Sequence, residues 1–188
     1  MERWNRVSNT ESTRSRRMVV CSQCQTPGII DFSRPQPPAS CGKCGQLLWC
    51  DGLVDLANEF DCSVDAILPD VSALDRDGVL HALARTAGSA LGWTEAQQQE
   101  LADALRRRES LGSTGLGRGV AIPHASLEWI ERPVAVVAHA ARPVPFAAID
   151  GVPVHTFVLV VSTKKDREHH VATMERFTRM LRCLVNWC

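Results

Sequence analysis

The spacing of apolar positions changes twice along this chain. From Asp75 to Leu105 apolar residues recur every three or four positions, the period of a helix with one buried face. Asp75 is a suitable N-cap for a helix carrying Val79, Leu80, Leu83 and Ala87, and Thr94 followed by Gln97 is a capping-box pattern opening a second helix with Leu101, Ala102 and Leu105 inward. Between Val120 and Val161 the pattern becomes short apolar runs, as expected of buried strands: Val120–Ile122 ending at Pro123, Val134–Ala138, Val144–Phe146 and Val154–Val161. Asp150-Gly151 is a turn signal between the last two. Helical spacing returns over about Arg167–Leu184, with Val171, Met174, Phe177, Thr178 and Leu181 on one face. Helices and strands alternating around one sheet predict an α/β fold, a single mixed sheet flanked by helices.

The first 64 residues carry no such pattern. Residues 1–17 are polar with five arginines and read as a disordered tail. Leu47–Trp49 would make a short closing strand, and residues 51–64 read as a linker within a connector that runs to Asp70, with a short helix at Leu53–Phe60. With 21 basic and 21 acidic residues in 188, the formal charge is zero, which argues against broad attraction to nucleic acid or anionic membranes. The longest apolar stretch, Phe157–Val161, is strand-sized, so no membrane span is expected. The N-terminal arginines are not followed by the apolar stretch of a secretory signal, and the expected location is the cytoplasm.

Four of the eight cysteines form two Cys-x-x-Cys pairs, Cys21/Cys24 and Cys41/Cys44, separated by sixteen residues. Each pair turns two sulfurs toward one point, and four thiolates suit a tetrahedral zinc ion. Residues 18–50 are therefore expected to form a small zinc ribbon with one structural zinc; two redox pairs or unrelated thiols are the alternative. Cys50, Cys62, Cys183 and Cys188 fall outside the pattern and read as spare thiols.

Residues Gly112–His124 read GSTGLGRGVAIPH. The glycines do not make a nucleotide loop, because Arg118-Gly119 stands where a phosphate loop needs lysine and a hydroxyl. Proline would stop the strand and leave His124 at its end, facing a partner. The ordered set Arg108-Glu109, Ser113-Thr114-Gly115, Gly119-Val120-Ala121-Ile122-Pro123-His124, followed by Ala148–Gly151 and Glu168-His169-His170, resembles the enzyme IIA domains of the sugar phosphotransferase system, of the fructose, mannitol and nitrogen-related type. The resemblance covers residues 65–188.

That resemblance implies phosphoryl transfer through a phosphohistidine. His124 would be the nucleophile. Arg108 would hold phosphoryl oxygens with its guanidinium fork, and Thr114 and the loop amides would donate further bonds. Arg106 and Arg107 read as a solvated helix end. His170, rather than its neighbour His169, would lie beside His124, while His81, His139 and His155 read as structural or exposed. The donor would be the histidine-containing phosphocarrier protein and the acceptor a separate enzyme IIB domain in sugar uptake. A regulatory phosphoprotein, binding a regulated protein according to its phosphorylation state, is the first alternative. A zinc-ribbon nucleic-acid or transcription-associated protein is the second, weakened by a ribbon holding only Arg34 and Lys43 as bases between its cysteines. Members of the family usually continue past the helix near His170; a chain ending at Cys188 would leave apolar surface uncovered, which a homo-oligomer would relieve.

Overall fold

The computed structural model describes residues 16–21, 23–31, 40–45, 48, 64–68, 71, 75–165 and 167–184, with the side chains of 16, 17, 31, 167–170 and 180–184 left aside. The expected helix at Leu53–Phe60 and Cys50, Cys62 and Cys188 lie outside them. Arg16 and Arg17, read as tail, already belong to a strand. Strand β1 (Arg16–Val20) pairs antiparallel with β2 (Pro27–Asp31) as a separate ribbon. Of the closing strand expected at 47–49 only Leu48 is described; its backbone is helical and its side chain buried.

Two helices follow as their caps predict. In α1 (Arg76–Leu91) the Asp75 carboxylate accepts from Gly78 N at 2.7 Å, and Gly92, at φ 74°, ends the helix in the left-handed conformation that glycine adopts without cost. In α2 (Glu95–Ser110) Thr94 and Gln97 form both bonds of the capping box.

The main sheet has six strands: β3 (Ala66–Leu68), β4 (Gly115–Gly117), β5 (Val120–Ala121), β6 (His124–Leu127), β7 (Val134–Val144) and β8 (Val154–Thr163). Their order is β3-β7-β8-β5-β4, with β6 also on β8. β7 and β8 run antiparallel, while β5 and β6 both run parallel to β8, β5 against Thr156–Phe157 and β6 against Val160–Thr163. One strand line is thus interrupted at Ile122-Pro123 and resumed at His124. This corrects the expectation that proline ends the strand: a missing N–H removes one ladder bond, and Pro123 O still accepts from Val160 N at 3.0 Å. β3, read as connector, pairs parallel with β7, and Asp65 anchors it by accepting from Ala135 N at 2.9 Å and from Arg132 at 2.7 Å.

β8 is buried along its whole length, so its alternating side chains divide between two cores. Phe157, Leu159 and Val161 face α1 and α2, packing with Leu80, Leu83, Leu101, Leu105 and Phe146. Val158 and Val160 face the other way, joined by Val120, Ile122, Ala135 and Val137. That second face is closed by Phe177 of α3 (Arg167–Leu184) and by Val19, Cys21, Ile30, Cys41 and Leu48 from the N-terminal segment. The apolar face read for α3 is only partly right, since Val171 is 58% exposed while Phe177 is buried. No helix among the described residues is long and apolar enough to cross a membrane.

Candidate active site and four-cysteine cluster

The last turn of α2 carries Arg107, Arg108 and Glu109, and the chain then returns as a short hairpin. β4 and β5 are joined by Arg118 (φ 50°) and Gly119 (φ 77°), the two left-handed residues of a tight hairpin turn. Asp150 braces this turn, accepting from Arg118 N and from Val152 N at 2.6 and 3.0 Å. Partial burial raises the Asp150 pKa, but these bonds to its ionised form more than offset that and hold the carboxyl below its usual range. The glycines serve close approach. A Cβ at Gly119 would stand 2.5 Å from His155 Nε2, and one at Gly115 2.7 Å from the Ala148 backbone. Burial, and secondarily the neighbouring His139, lowers the pKa of the His155 imidazole to about 4. His139 is buried as well, and His81 is exposed.

His124 opens β6 and is half-buried. Its Nδ1 lies 2.9 Å from Ile122 O, and its Nε2 accepts from Arg108 Nε at 2.9 Å. A carbonyl can only accept, so the ring proton sits on Nδ1 and Nε2 presents a lone pair. Arg108 also donates from NH1 to Gly112 O at 3.0 Å. Sequence-predicted His124 and Arg108 are therefore in direct contact. Thr114 is buried, and its hydroxyl donates to Glu109 Oε2 at 2.7 Å. Because a hydroxyl has one proton to give, this bond stands in place of the phosphate-facing donor expected there. His170 falls in the first turn of α3, with its side chain outside the described residues.

A cleft of about 330 Å³ opens beside His124, lined by His124, Arg108, Arg107, Ser126 and Lys164. Arg107, read as part of a solvated helix end, is exposed but faces this cleft. Lys164 was missed. Its backbone N–H bonds Leu127 O at 3.2 Å, which sets it beside the end of β6, a placement that only the sheet register reveals. Three cationic residues line the cleft beside His124, which suits an anionic group.

The sulfurs of Cys21, Cys24, Cys41 and Cys44 lie within 4.8 Å of one another, and could hold a metal ion. Cys21 approaches Cys44, and Cys24 approaches Cys41, at 3.5 Å each. The two turns are built alike. Gln25 N bonds Cys21 O and Gly45 N bonds Cys41 O, each at 2.9 Å, and Gln25 and Gly45 both have positive φ. The Thr26 hydroxyl, and then its backbone, lower the Cys24 thiol to about 6, toward the thiolate that a metal requires.

The Phosphoenolpyruvate-dependent sugar phosphotransferase system, EIIA 2 family matches residues 62–183, nearly the whole main sheet with its helices. This chain belongs to that family. The chain is 33% identical over 118 residues to a nitrogen regulatory protein of Bradyrhizobium diazoefficiens, covering 63% of this chain and 75% of that protein. It is 37% identical over 87 residues to a nitrogen regulatory protein of Pseudomonas aeruginosa, covering 46% of this chain and 56% of that one. A fructose-specific EIIABC component of Bacillus subtilis matches at 30% over 84 residues, 45% of this chain but 13% of that protein. The crystal structure of the nitrogen regulatory protein IIA-Ntr from Neisseria meningitidis shares the fold, with TM-score 0.51 and 23% identity over 59% of this chain and 73% of that one. In fold and family the chain is an EIIA-type phosphotransfer component.

Proposed function

We propose that this protein accepts a phosphoryl group on Nε2 of His124 from the histidine-containing phosphocarrier protein. The observation that carries the reading is the paired hold on the imidazole. Ile122 O keeps the proton on Nδ1, so Nε2 attacks with a lone pair and needs no base. The P–N bond to His124 forms as the donor's P–N bond breaks, and the donor imidazole leaves with its electron pair. Arg108 moves its hydrogen bond from Nε2 to the phosphoryl oxygens, with Arg107 and Lys164 adding positive charge. His170, at the start of α3, is the proposed second histidine. The test is transfer of labelled phosphate from phosphorylated carrier protein: an acid-labile label on wild-type protein and none on His124→Ala supports the reading, and label on His124→Ala refutes it.

Two fates fit the phosphorylated form. Passage to an enzyme IIB domain in sugar uptake draws support from the Bacillus subtilis fructose relative. A regulatory role, in which phosphorylation alters binding to another protein, draws support from the nitrogen regulatory relatives. Rapid loss of label to IIB domains favours the first; a stable phosphoprotein with a changed binding partner favours the second.

For the cysteine cluster the proposal is one zinc ion held by Cys21, Cys24, Cys41 and Cys44. Tetrahedral zinc–thiolate geometry sets neighbouring sulfurs about 3.8 Å apart, close to the spacing found. Four thiolates would leave no open position for water, so the ion's chemistry would be structural. One equivalent of zinc in protein purified without chelator, lost in Cys41→Ser, tests this.

A further inference from the structure

Glu109 is where a carboxylate is least expected. It is only 3% exposed, and it sits in the last turn of α2, where the helix's own carbonyl groups already carry partial negative charge. All its described partners belong to one residue. Thr114 N lies 3.1 Å from each carboxylate oxygen, and Thr114 Oγ1 donates to Oε2 at 2.7 Å. Thr114 O in turn accepts from Ile122 N at 3.0 Å, and Ile122 O holds His124 Nδ1. His124 Nε2 accepts from Arg108 Nε, and Arg108 is joined to Glu109 by a peptide bond. These links close a ring around the nucleophile: Arg108, His124, Ile122, Thr114, Glu109 and back to Arg108. Within the ring the Ile122 carbonyl on Nδ1 fixes the tautomer and Nε2 receives the guanidinium. The Glu109–Thr114 bonds tie the helix that carries the arginine to the residue that leads into β4, and the Thr114–Ile122 bond passes that hold to the segment before the histidine.

We propose that Glu109, acting with Thr114, is the positioning residue of the phosphoryl-transfer site: it sets where Arg108 stands relative to His124 Nε2 and steadies the Ile122 carbonyl that holds the Nδ1 proton. The proposal rests on the reading of His124 as phosphoryl acceptor. A carboxylate suits the role because it offers two acceptors to two donors on one residue. Glutamine would turn an amide N–H toward Thr114 N–H, and aspartate would fall one methylene short.

The test joins kinetics to a spectroscopic signature. Phosphoryl uptake is measured for wild type, E109Q, T114V, T114S, R108A and the double variant R108A/E109Q, and 15N signals of the His124 ring are recorded on the same unphosphorylated proteins. E109Q and T114V are expected to slow uptake roughly tenfold to a hundredfold, as loss of a buried charged hydrogen bond does. T114S recovers most of what T114V loses. In both slow variants the ring signals move from a single Nδ1–H tautomer toward a mixture. In the R108A background, E109Q costs little more, because the two residues act through one contact. Three results each overturn the proposal: wild-type uptake in E109Q and T114V; slow uptake with an unchanged single tautomer, the mark of a merely structural role; or additive losses in the double variant. Because the tautomer is read without phosphate, a wild-type protein that takes no label defeats the phosphoryl-acceptor reading while the positioning claim is still decided by the ring signals.

Discussion

The two faces of the main sheet are covered by different means. One is closed by α1 and α2, neighbours in sequence with complete caps, over a core of leucine and phenylalanine. The other is closed from both ends of the chain, by Phe177 of α3 and by a small ribbon whose buried residues include two of the four clustered cysteines. The first face is held by hydrophobic burial together with hydrogen bonds that α2 accepts from Thr114 and Trp129. The second borrows its cover from a segment too small for a core of its own, where sulfur atoms of the cluster are also core atoms. His124 belongs to β6, between the helix that supplies Arg108 and Ile122, a residue of the break between β5 and β6 that packs toward the ribbon.

The comparison can be broken first at that seam. His124→Ala is expected to abolish phosphoryl acceptance while leaving metal content and both covers intact, as measured by label uptake and metal analysis. Arg108→Ala removes what the helical face contributes, at a cost of about 2.7–4 kcal/mol in barrier, roughly a hundredfold to a thousandfold in rate. Single-turnover transfer checks this, and an unchanged rate would detach the helical face from the chemistry.

Stability sharpens the contrast between covers. Leu83→Ala, on the helical face, should cost roughly 2–5 kcal/mol whether or not metal is present. Ile30→Ala should destabilise metal-loaded protein by an amount in the same range and metal-free protein hardly at all, because without metal the ribbon has little left to lose. Denaturant unfolding of each variant with and without chelator distinguishes the faces; equal costs for Ile30→Ala in both states would mean the ribbon covers the sheet without its metal.

The smallest expected effect is in pH. His155 has its pKa lowered to about 4 by burial and, secondarily, by His139. The unfolded chain binds this proton below about 6.5 and the folded chain only near 4, so stability is full above 6.5 and declines as pH falls between those values. The loss is on the order of 3 kcal/mol at most. Comparing unfolding at pH 7 and pH 4.5 for wild type and His155→Gln checks the sign: the variant should lose less stability on acidification.

Both helices of the first face were legible because their caps are local: Asp75, and Thr94 with Gln97, act within three residues of themselves. His124 and Arg108 were singled out through a motif, and the fold brings their side chains into contact. What escaped depends on distant pairing. β3 is three residues long and exists only through its parallel partner β7. β6 was hidden because Pro123 was read as a terminator, when a strand line can lose one donor and continue. Lys164 reaches the cleft through register, and the Glu109–Thr114 bonds depend on how the loop between them turns. Val171 fits a helical stripe in sequence yet is exposed, while Phe177 of the same stripe is buried with the ribbon residues.

The order in which the polypeptide is made gives the ribbon a further consequence. Cys21, Cys24, Cys41 and Cys44 leave the ribosome before any strand of the main sheet, and their two turns can close within a short loop. The surface that Val19 and Ile30 cover does not exist until β8, near the C-terminal end, has been added between β7 and β5. The ribbon's inner side must therefore wait in water until β8 has been made, the slow, long-range docking expected of non-local contacts. Metal captured at that stage would keep the early-made piece in shape until its counterpart arrives, and the last surface of the domain to form would be assembled onto the first.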